Sequence, residues 1–144
     1  MKKDIINTNI FKLNEATSIA VHAAAYMASN MERFVGATEI SESMCASRDH
    51  VEKVKQRMSK AGLITTKRGP KGGFRLTKDP KDITLLEVFE IFEGEVTKEI
   101  QCPLGQTFCG GKKCIIGTLF SRLQHEAIQF LSNVTLSQVI NNEF

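Results

Sequence analysis

The stretch that decides the fold is KAGLITTKRGPKGGFRL, which occupies residues 60–76. Short apolar and β-branched segments at 63–66 and 74–76 stand on either side of a turn at 67–73 that is rich in glycine. This order predicts a β-hairpin. The glycines of such a turn allow the backbone to approach a phosphate closely, and basic side chains around it would add positive charge. These basic residues are Lys67, Arg68, Lys71 and Arg75.

Two short helices are predicted immediately before the hairpin. Thr38 can cap a helix that runs through Met44. Ser47 can cap a second helix that ends at Ala61, before Gly62. Apolar residues recur in the second helix at spacings of three or four, so one stripe would pack and another face would stay free for a groove. The packed stripe is Val51, Val54, Met58 and Ala61, and the other faces carry His50, Lys53, Arg57 and Lys60.

Helices followed directly by such a hairpin predict a winged helix-turn-helix within a mainly α fold. Residues 14–29 are predicted to form an upstream helix with Asn14 as its N-cap. Thr84 and Glu87 fit a capping box at the start of a further helix. The long amphipathic pattern at 115–133 exceeds what a small winged helix needs to cover itself. We therefore expect a long C-terminal dimerisation helix.

Positive charge is concentrated in one part of the chain. Residues 45–75 contain nine Lys and Arg against two acidic residues, a net charge of +7, whereas the whole chain of 144 residues carries +3. The rest of the chain is therefore net acidic. A basic helix-turn-helix with a basic hairpin is the electrostatic pattern expected for contacts with DNA phosphates. We expect double-stranded DNA to bind a domain at 1–80, followed by a sensor and dimerisation region at 81–144.

The composition limits the class and the compartment of the protein. Apolar residues make up 42% of the chain, enough for the core of one domain or of a compact domain with an arm. Four cysteines are few for a secreted disulfide scaffold, and the start MKKDIINTNIF lacks the apolar stretch of a signal peptide. The longest uncharged run, 16–31, is too short and too polar to span a bilayer. We expect a cytoplasmic protein without a membrane segment.

Three cysteines, Cys102, Cys109 and Cys114, stand within thirteen residues on a glycine-rich segment, 94–114, which we call the cysteine loop. Thiolates are soft ligands that select iron-sulfur clusters, zinc or copper. The spacing matches neither paired zinc knuckles nor the usual ferredoxin runs, although three cysteines and one outside ligand can hold a cluster. A zinc site or a thiol switch stays open as an alternative. Cys45 is expected to pack as a small apolar residue in the helix-turn-helix.

No catalytic constellation is recognisable in the sequence. Cys45 and His50 are five residues apart, but no third group is evident to orient the histidine. A P-loop, a dinucleotide fingerprint and a paired carboxylate site are also missing from the pattern. We therefore expect a regulator and not an enzyme. A rival of another class is an iron-sulfur electron-transfer subunit, which would leave the basic segment unexplained.

The joint order of these features resembles a known family. The 60–76 motif, ITLLEVF at 83–89, the cysteine loop, a long helix and the ending FLSNVTLSQVI at 130–140 are similar to the IscR/NsrR-type bacterial winged-helix iron-sulfur regulators. The resemblance covers nearly everything from Leu13 to Ile140. It implies a homodimeric transcription factor that binds palindromic promoter sites and holds a 2Fe-2S or 4Fe-4S cluster near the dimer interface. Through such a cluster the regulator would sense the supply of iron-sulfur clusters, the redox state or nitric oxide.

The resemblance also assigns residues by matching motif. It implies that Cys102, Cys109 and Cys114 hold the cluster. It further implies two groups of DNA contacts, one at the recognition helix and one in the hairpin, or wing. The first group is Ser47, Arg48, His50, Glu52 and Lys53, and the second is Arg68, Pro70 and Lys71.

The fourth cluster ligand does not follow from either pattern within the family. One pattern places a histidine three positions after the last cysteine, where this chain has Gly117. The other places an acidic residue early in the first helix, where this chain has Ser18. Glu15 and His22 lie within one helical turn of Ser18 and can both ligate iron. We favour His22 slightly over Glu15, with Ser18 third.

Overall fold

A computed structural model of the chain describes residues 13–96 and 114–144. The described part consists mainly of α-helices with one antiparallel β-hairpin, which confirms the predicted winged-helix fold class. In chain order the elements are α1 (Glu15–Ala28), α2 (Ala37–Ser43), α3 (Arg48–Lys60), β1 (Ile64–Lys67), β2 (Gly73–Leu76), a 3₁₀ turn (Pro80–Asp82), α4 (Leu85–Glu93), α5 (Ile115–Asn133) and α6 (Leu136–Asn141).

Polar side chains start several helices where the sequence predicts them. The Asn14 side-chain oxygen accepts a hydrogen bond from the Ala16 N–H at 3.0 Å. The hydroxyls of Ser47 and Thr84 each accept one, at 3.2 Å, from the N–H three residues later. Gly62 follows α3 with φ of +78°, a left-handed conformation that favours glycine and stops the helix. These caps satisfy N–H groups that have no partner within their own helix.

The start of α2 differs from the prediction that Thr38 caps it. The helix begins at Ala37, directly after Gly36, whose backbone is extended and which offers no side-chain cap. The preceding residue, Val35, exchanges backbone hydrogen bonds with Phe74, both at 2.9 Å. The chain therefore passes from strand pairing into α2 within two residues, and the predicted cap lies inside the helix.

Helix α1 lies at the centre of the core and packs against α3, α4 and α6. Its Ala20 and Ala24 are completely buried, so neighbouring elements approach its backbone closely. Burial of each large apolar side chain contributes about 1.5–3 kcal/mol. The prediction that Ala61 packs with the α3 stripe is wrong, because α3 ends at Lys60 and Ala61 is exposed. The largest fully buried side chains include Met27, Ile40, Met58, Leu63, Ile83 and Leu136.

The hairpin is held against the body of the fold by its second strand. Lys67 at the end of β1 pairs with Gly73 at the start of β2. Gly73 has φ of +143°, and a Cβ at this position would lie 2.3 Å from the Val35 carbonyl oxygen. The Arg75 guanidinium carbon lies 4.8 Å from the ring centroid of Phe34. A glycine at 73 and a stacked arginine at 75 therefore fix the direction of the wing.

The C-terminal part of the chain joins the same core. The Leu85 N–H donates to the Val134 carbonyl and the Leu136 N–H donates to the Ile83 carbonyl, both at 2.9 Å. These bonds tie the start of α4 to the start of α6. The predicted boundary near residue 80 remains a prediction.

Helix α5 buries none of its side chains completely within the described chain. Five of its large apolar side chains have exposed fractions between 40% and 86%. Among the residues that the structure describes, neither α5 nor any other helix has the length and hydropathy of a membrane span. The exposed apolar side chains are Ile115, Ile116, Leu119, Phe120 and Phe130.

The Glu39→Gln variant should lose a pH-dependent part of the stability. Glu39 accepts hydrogen bonds from the Arg33 guanidinium at 2.9 Å and the Tyr26 hydroxyl at 2.8 Å, which joins α1 to α2. The Arg33 bond, and then the Tyr26 bond, lower the pKa of Glu39 from 4.5 to about 2. Stability from this group is therefore present above pH 4.5 and is lost as the pH falls toward 2. Urea midpoints of parent and variant should differ most above pH 4.5 and converge toward pH 2.

Glu32→Gln is the matched control for this prediction. The Glu32 carboxylate lies 4.0 Å from Arg33 and its side chain is 72% exposed, so water screens the pair. Its urea midpoints should follow the parent over the same pH range. A Glu39→Gln variant that also runs parallel to the parent would contradict the assigned role of Glu39.

Candidate functional site

An open groove of about 940 Å³ lies between α3 and the hairpin, and we call it the wing groove. Its side chains include five basic ones and one carboxylate, so its charge suits a polyanion. An α-helix beside such a groove can enter the DNA major groove while the hairpin contacts phosphates. The charged lining residues are Arg48, Glu52, Lys55 and Lys60 from α3, and Lys67 and Arg68 from the hairpin.

Four of the eight predicted DNA contacts, Arg48, Glu52, Arg68 and Pro70, line the wing groove together. The Glu52 carboxylate forms an ion pair with the Lys55 ammonium, and their side chains are 34% and 25% exposed. A carboxylate can read cytosine by accepting from its amino group. To do so, the Glu52 carboxylate would have to break its ion pair with Lys55 and form a hydrogen bond to the base.

The other four predicted DNA contacts lie outside the wing groove. Ser47 is the N-cap of α3, and Lys71 is exposed in the hairpin turn. His50 and Lys53 line a second groove, of about 320 Å³, between α1, α3 and α4. The His50 Nδ1 atom there lies 3.3 Å from the Glu15 carboxylate. The structure thus brings half of the predicted contacts together and distributes the rest around α3.

Further side chains of α3 line the wing groove although they are not among the predicted contacts. They are Lys55, Gln56, Ser59 and Lys60. Their spacing from Glu52 is three, four, seven and eight residues, which is the periodicity of one helix face. That periodicity is the signal that could have identified them.

Arg57 lies away from the packed stripe of α3, as predicted, and its exposed side chain lines the second groove. Its guanidinium donates to the Ile91 carbonyl at 2.7 Å, and its Cζ lies 4.7 Å from the centroid of the Phe92 ring. Arg57 therefore faces the last turn of α4. Tertiary packing determines this direction, which helical periodicity alone does not give.

The three candidates for a fourth ligand, Glu15, Ser18 and His22, lie together on α1. They line a groove of about 450 Å³ against the turn between α2 and α3, which we call the α1 groove. The His22 Nδ1 atom lies 2.7 Å from the Ser18 carbonyl oxygen, and since a carbonyl only accepts, Nδ1 is the donor. This bond fixes the tautomer and leaves the other ring nitrogen, Nε2, able to accept or ligate.

Cys45 differs from its predicted role as a packed residue. Its side chain is exposed, and its φ of +52° is in the left-handed region. Cys45 lies in the turn between α2 and α3. The thiol lines the α1 groove beside Met44 and Ala46. The prediction that it packs as a small apolar residue in the helix-turn-helix is therefore wrong.

Cys114 is exposed and caps the N-terminus of α5. Its Sγ accepts a hydrogen bond from the Gly117 N–H at 3.3 Å. A Cβ at 117 would lie 3.4 Å from the Cys114 Cβ and 3.5 Å from its Sγ. A side chain at 117 would therefore touch the thiol, and glycine leaves that space open.

Cys102 and Cys109 lie outside the described residues. Within 13–96 and 114–144, no three His, Cys, Asp or Glu side chains are grouped as a metal site. Hydrogen bonds from backbone N–H groups to cysteine sulfurs are a feature of iron-sulfur sites, and the Cys114 Sγ has such a bond. The chemistry of Cys114 therefore fits a thiolate ligand.

Comparison with known proteins gives a consistent result. Residues 13–142 match the Rrf2 family, described as iron-dependent transcriptional regulators. The HTH-type transcriptional regulator IscR of Klebsiella pneumoniae (strain 342) is 34% identical over 134 residues, covering 92% of this chain and 81% of that one.

Two solved structures are similar to the whole fold. CymR, the global cysteine regulator of B. subtilis, superposes with a TM-score of 0.79 at 18% identity, covering 92% of this chain and 98% of that one. IscR of T. potens superposes with a TM-score of 0.74 at 20% identity, covering 93% and 89%. At such identities the similarity shows a shared fold.

Proposed function

Since the chain belongs to the Rrf2 family of transcriptional regulators, we propose that it is a homodimeric DNA-binding regulator that holds an iron-sulfur cluster through Cys102, Cys109 and Cys114. Members of this family are transcriptional regulators and not enzymes, and the chain is a regulator in the same sense. We propose further that the state of the cluster changes the affinity for promoter DNA. The signal would be cluster supply, redox state or nitric oxide.

The DNA-binding part of the proposal is supported by the wing groove. Arg68 and Lys71 would contact phosphates and fix the register, because backbone contacts carry position and not sequence. Arg48 and Glu52 at the start of α3 would reach base edges, where a bidentate arginine reads guanine and a carboxylate reads cytosine. Ser47 and the first turn of α3 would add helix N-terminal contacts to a phosphate.

The dimer is supported by the apolar face of α5. Ile116, Phe120, Leu123, Ala127 and Phe130 follow one another at alternating spacings of four and three residues, which is the pattern of a helix-packing seam. A symmetric pair of α5 helices would bury this face and would relate two copies of α3 by a two-fold axis. Two recognition helices related by a two-fold axis match a palindromic site.

The single observation that carries the cluster proposal is the position of Cys114. Its thiol is exposed at the start of α5 with its sulfur already oriented by the Gly117 N–H. A buried thiol in an apolar site would instead have suggested inert packing. A bound iron-sulfur centre would supply a common anchor for three thiolates, and the adjacent apolar face of α5 would bring that anchor close to the dimer interface.

For the fourth ligand we propose His22 ahead of Glu15, with Ser18 last. The Nδ1 of His22 already donates to a backbone carbonyl, which is the usual second contact of a ligating imidazole. The Glu15 carboxylate is engaged with His50, so it would have to leave that partner. A serine hydroxyl is a poor iron ligand unless it is ionised. If α1 comes from the partner subunit, ligation would also link the cluster to the dimer geometry.

Single replacement of His22, Glu15 and Ser18 by alanine should identify this ligand. We expect His22→Ala to change the anaerobic visible spectrum and to shorten cluster lifetime in air several-fold, because removal of a ligand or of its supporting hydrogen bond typically costs tenfold or more in affinity. Glu15→Ala and Ser18→Ala should resemble the parent.

Cys45→Ala is the matched control, since its thiol lines the same α1 groove. If all three α1 variants and this control keep the parent spectrum and lifetime, the fourth ligand does not come from α1. A change confined to Cys45→Ala would replace the proposal with a set of four cysteines.

Metal analysis of protein purified without oxygen separates the proposal from its alternatives. We expect iron and acid-labile sulfide in the parent. Zinc without sulfide would favour a zinc-binding regulator, and DNA affinity that responds to thiol reductants without any metal would favour a thiol switch. Iron and sulfide in a protein without salt-sensitive DNA binding would favour an electron-transfer subunit.

A further inference from the structure

We propose that Arg57 is a positioning residue that couples the cysteine loop to the recognition helix α3, an inference that rests on the proposed function. Arg57 belongs to α3, but its guanidinium contacts the last turn of α4. It donates to the Ile91 carbonyl at 2.7 Å and to the Phe92 carbonyl at 3.4 Å. Its Cζ lies 4.7 Å from the centroid of the Phe92 ring.

The chemistry of this contact suits arginine in particular. Carbonyls in the last turn of a helix have no partner within that helix, and they form the negative end of its dipole. A planar guanidinium can donate to such carbonyls and stack on an aromatic ring at the same time. Phe92 is only 6% exposed, so its ring offers a fixed surface.

The last turn of α4 is also the place where the chain enters the cysteine loop. Thr17, which is 1% exposed, donates its hydroxyl hydrogen to the Glu93 carboxylate. The Val96 N–H donates to the Glu90 carboxylate at 3.1 Å. These contacts tie the chain to α1 and α4 as far as Val96, and Cys102 follows six residues later. A displacement of the cysteine loop would therefore be transmitted to the last turn of α4, which Arg57 contacts.

The other end of the link is the wing groove. Gln56, next to Arg57 on α3, and Ser59 both line this groove. Helix α3 is continuous from Arg48 to Lys60, so a shift at Arg57 moves the groove-lining residues with it. Another polar link between α3 and the ligand-bearing part of α1 is the pair of His50 and Glu15. Their side chains are 48% and 71% exposed, so water weakens that pair.

The test compares DNA affinity of cluster-loaded and cluster-free protein under anaerobic conditions, for the parent, Arg57→Ala, Arg57→Lys and Lys53→Ala. The probe is one duplex that the parent protein has enriched from a random-sequence library. Lys53 is an exposed cation one turn earlier on α3, so its variant controls for the removal of charge. For the parent we expect an affinity ratio between the two forms of about 5- to 150-fold.

For Lys53→Ala we expect both forms to weaken by the same factor, with the ratio kept. For Arg57→Ala we expect a ratio within about twofold of one, with the visible spectrum of the parent, because the coupling free energy is lost while the cluster site is intact. Arg57→Lys should give an intermediate ratio, since lysine keeps the charge but not the planar stacking. This second variant keeps the coupling testable if the alanine variant does not fold.

A parent-like ratio in Arg57→Ala or Arg57→Lys would overturn the coupling role and leave only a charge effect. Loss of the visible spectrum in either variant would overturn it as well, because Arg57 would then act on cluster retention. A parent whose affinity ignores the cluster would contradict the proposed regulatory function itself, and the coupling with it. The parent measurement therefore distinguishes the two failures.

Discussion

The double variant Arg68→Ala, Lys71→Ala should bind every DNA duplex more weakly than the parent and with a flatter salt dependence. Both side chains are exposed in the hairpin turn, beside or within the wing groove. Removal of one phosphate interaction should reduce the slope of log affinity against log salt by about 0.9. Charge-assisted hydrogen bonds are worth about 1.5–3 kcal/mol each, so the affinity should fall roughly tenfold or more.

The control removes the same charge elsewhere. Lys78 and Lys81 pair with Glu87 at 2.8 Å and Asp79 at 3.4 Å, outside the wing groove. Their double alanine variant should retain the parent's affinity and salt slope in a filter-binding assay over a salt series. A wing double variant with parent affinity and slope would show that the hairpin does not contact phosphates.

Replacement of Cys102, Cys109 and Cys114 together by alanine should give a folded, dimeric and colourless protein with altered affinity for its selected duplex. The buried apolar core of the described chain is built mainly from α1, α2, α3, α4, α6 and the hairpin. Removal of three thiols should therefore leave this core intact, whereas the cluster has no anchor without them. Absorbance, circular dichroism and DNA titration on one preparation, with gel filtration for the dimer, would measure these properties.

Cys45→Ala is the matched control, and it should keep the colour and the affinity of the parent. Two results would count against the proposal in different ways. Loss of helical signal in the triple variant would make the cysteine site structural. An unchanged DNA affinity in a folded, colourless variant would remove the regulatory role of the cluster.

Much of the fold follows from local signals in the sequence. Helix caps form between side chains and N–H groups two or three residues later, at Asn14, Ser47 and Thr84. Helix α3 ends before Gly62, whose positive φ favours glycine. Both features depend on residues that are close in the sequence. The hairpin follows in the same way from β-branched segments on either side of a glycine-rich turn.

The wrong predictions depend on groups that are distant in the sequence or on backbone conformation. Val35 pairs with Phe74 of the hairpin, and α2 begins directly afterwards at Ala37. The predicted cap, Thr38, therefore lies inside the helix. Cys45 has a left-handed backbone conformation and an exposed side chain, although its neighbours in sequence are apolar. Periodicity places Arg57 correctly off the packed stripe, but it does not give the contact of its guanidinium with the Ile91 carbonyl of α4. Local patterns do not contain these tertiary contacts.

The parts of the candidate sites that lie on a single helix face could be predicted from the spacing of their residues. Glu52 and the residues three, four and seven positions later form one face toward the wing groove. The gathering of Glu15, Ser18 and His22 was also predictable, because they are neighbours on one helix. The sequence does not give the hydrogen bond between His22 and the Ser18 carbonyl, which supports the role of His22 as a ligand.

The most direct test of cluster-dependent DNA binding is an anaerobic DNA titration of one preparation before and after removal of its cluster, with iron and sulfide counted in the same sample. We predict about two or about four iron atoms per chain with matching sulfide. We also predict that the affinity for the selected duplex changes by about 5- to 150-fold on cluster removal. Superimposable titration curves, or DNA binding by a protein that contains neither iron nor sulfide when isolated without oxygen, would contradict the proposed function.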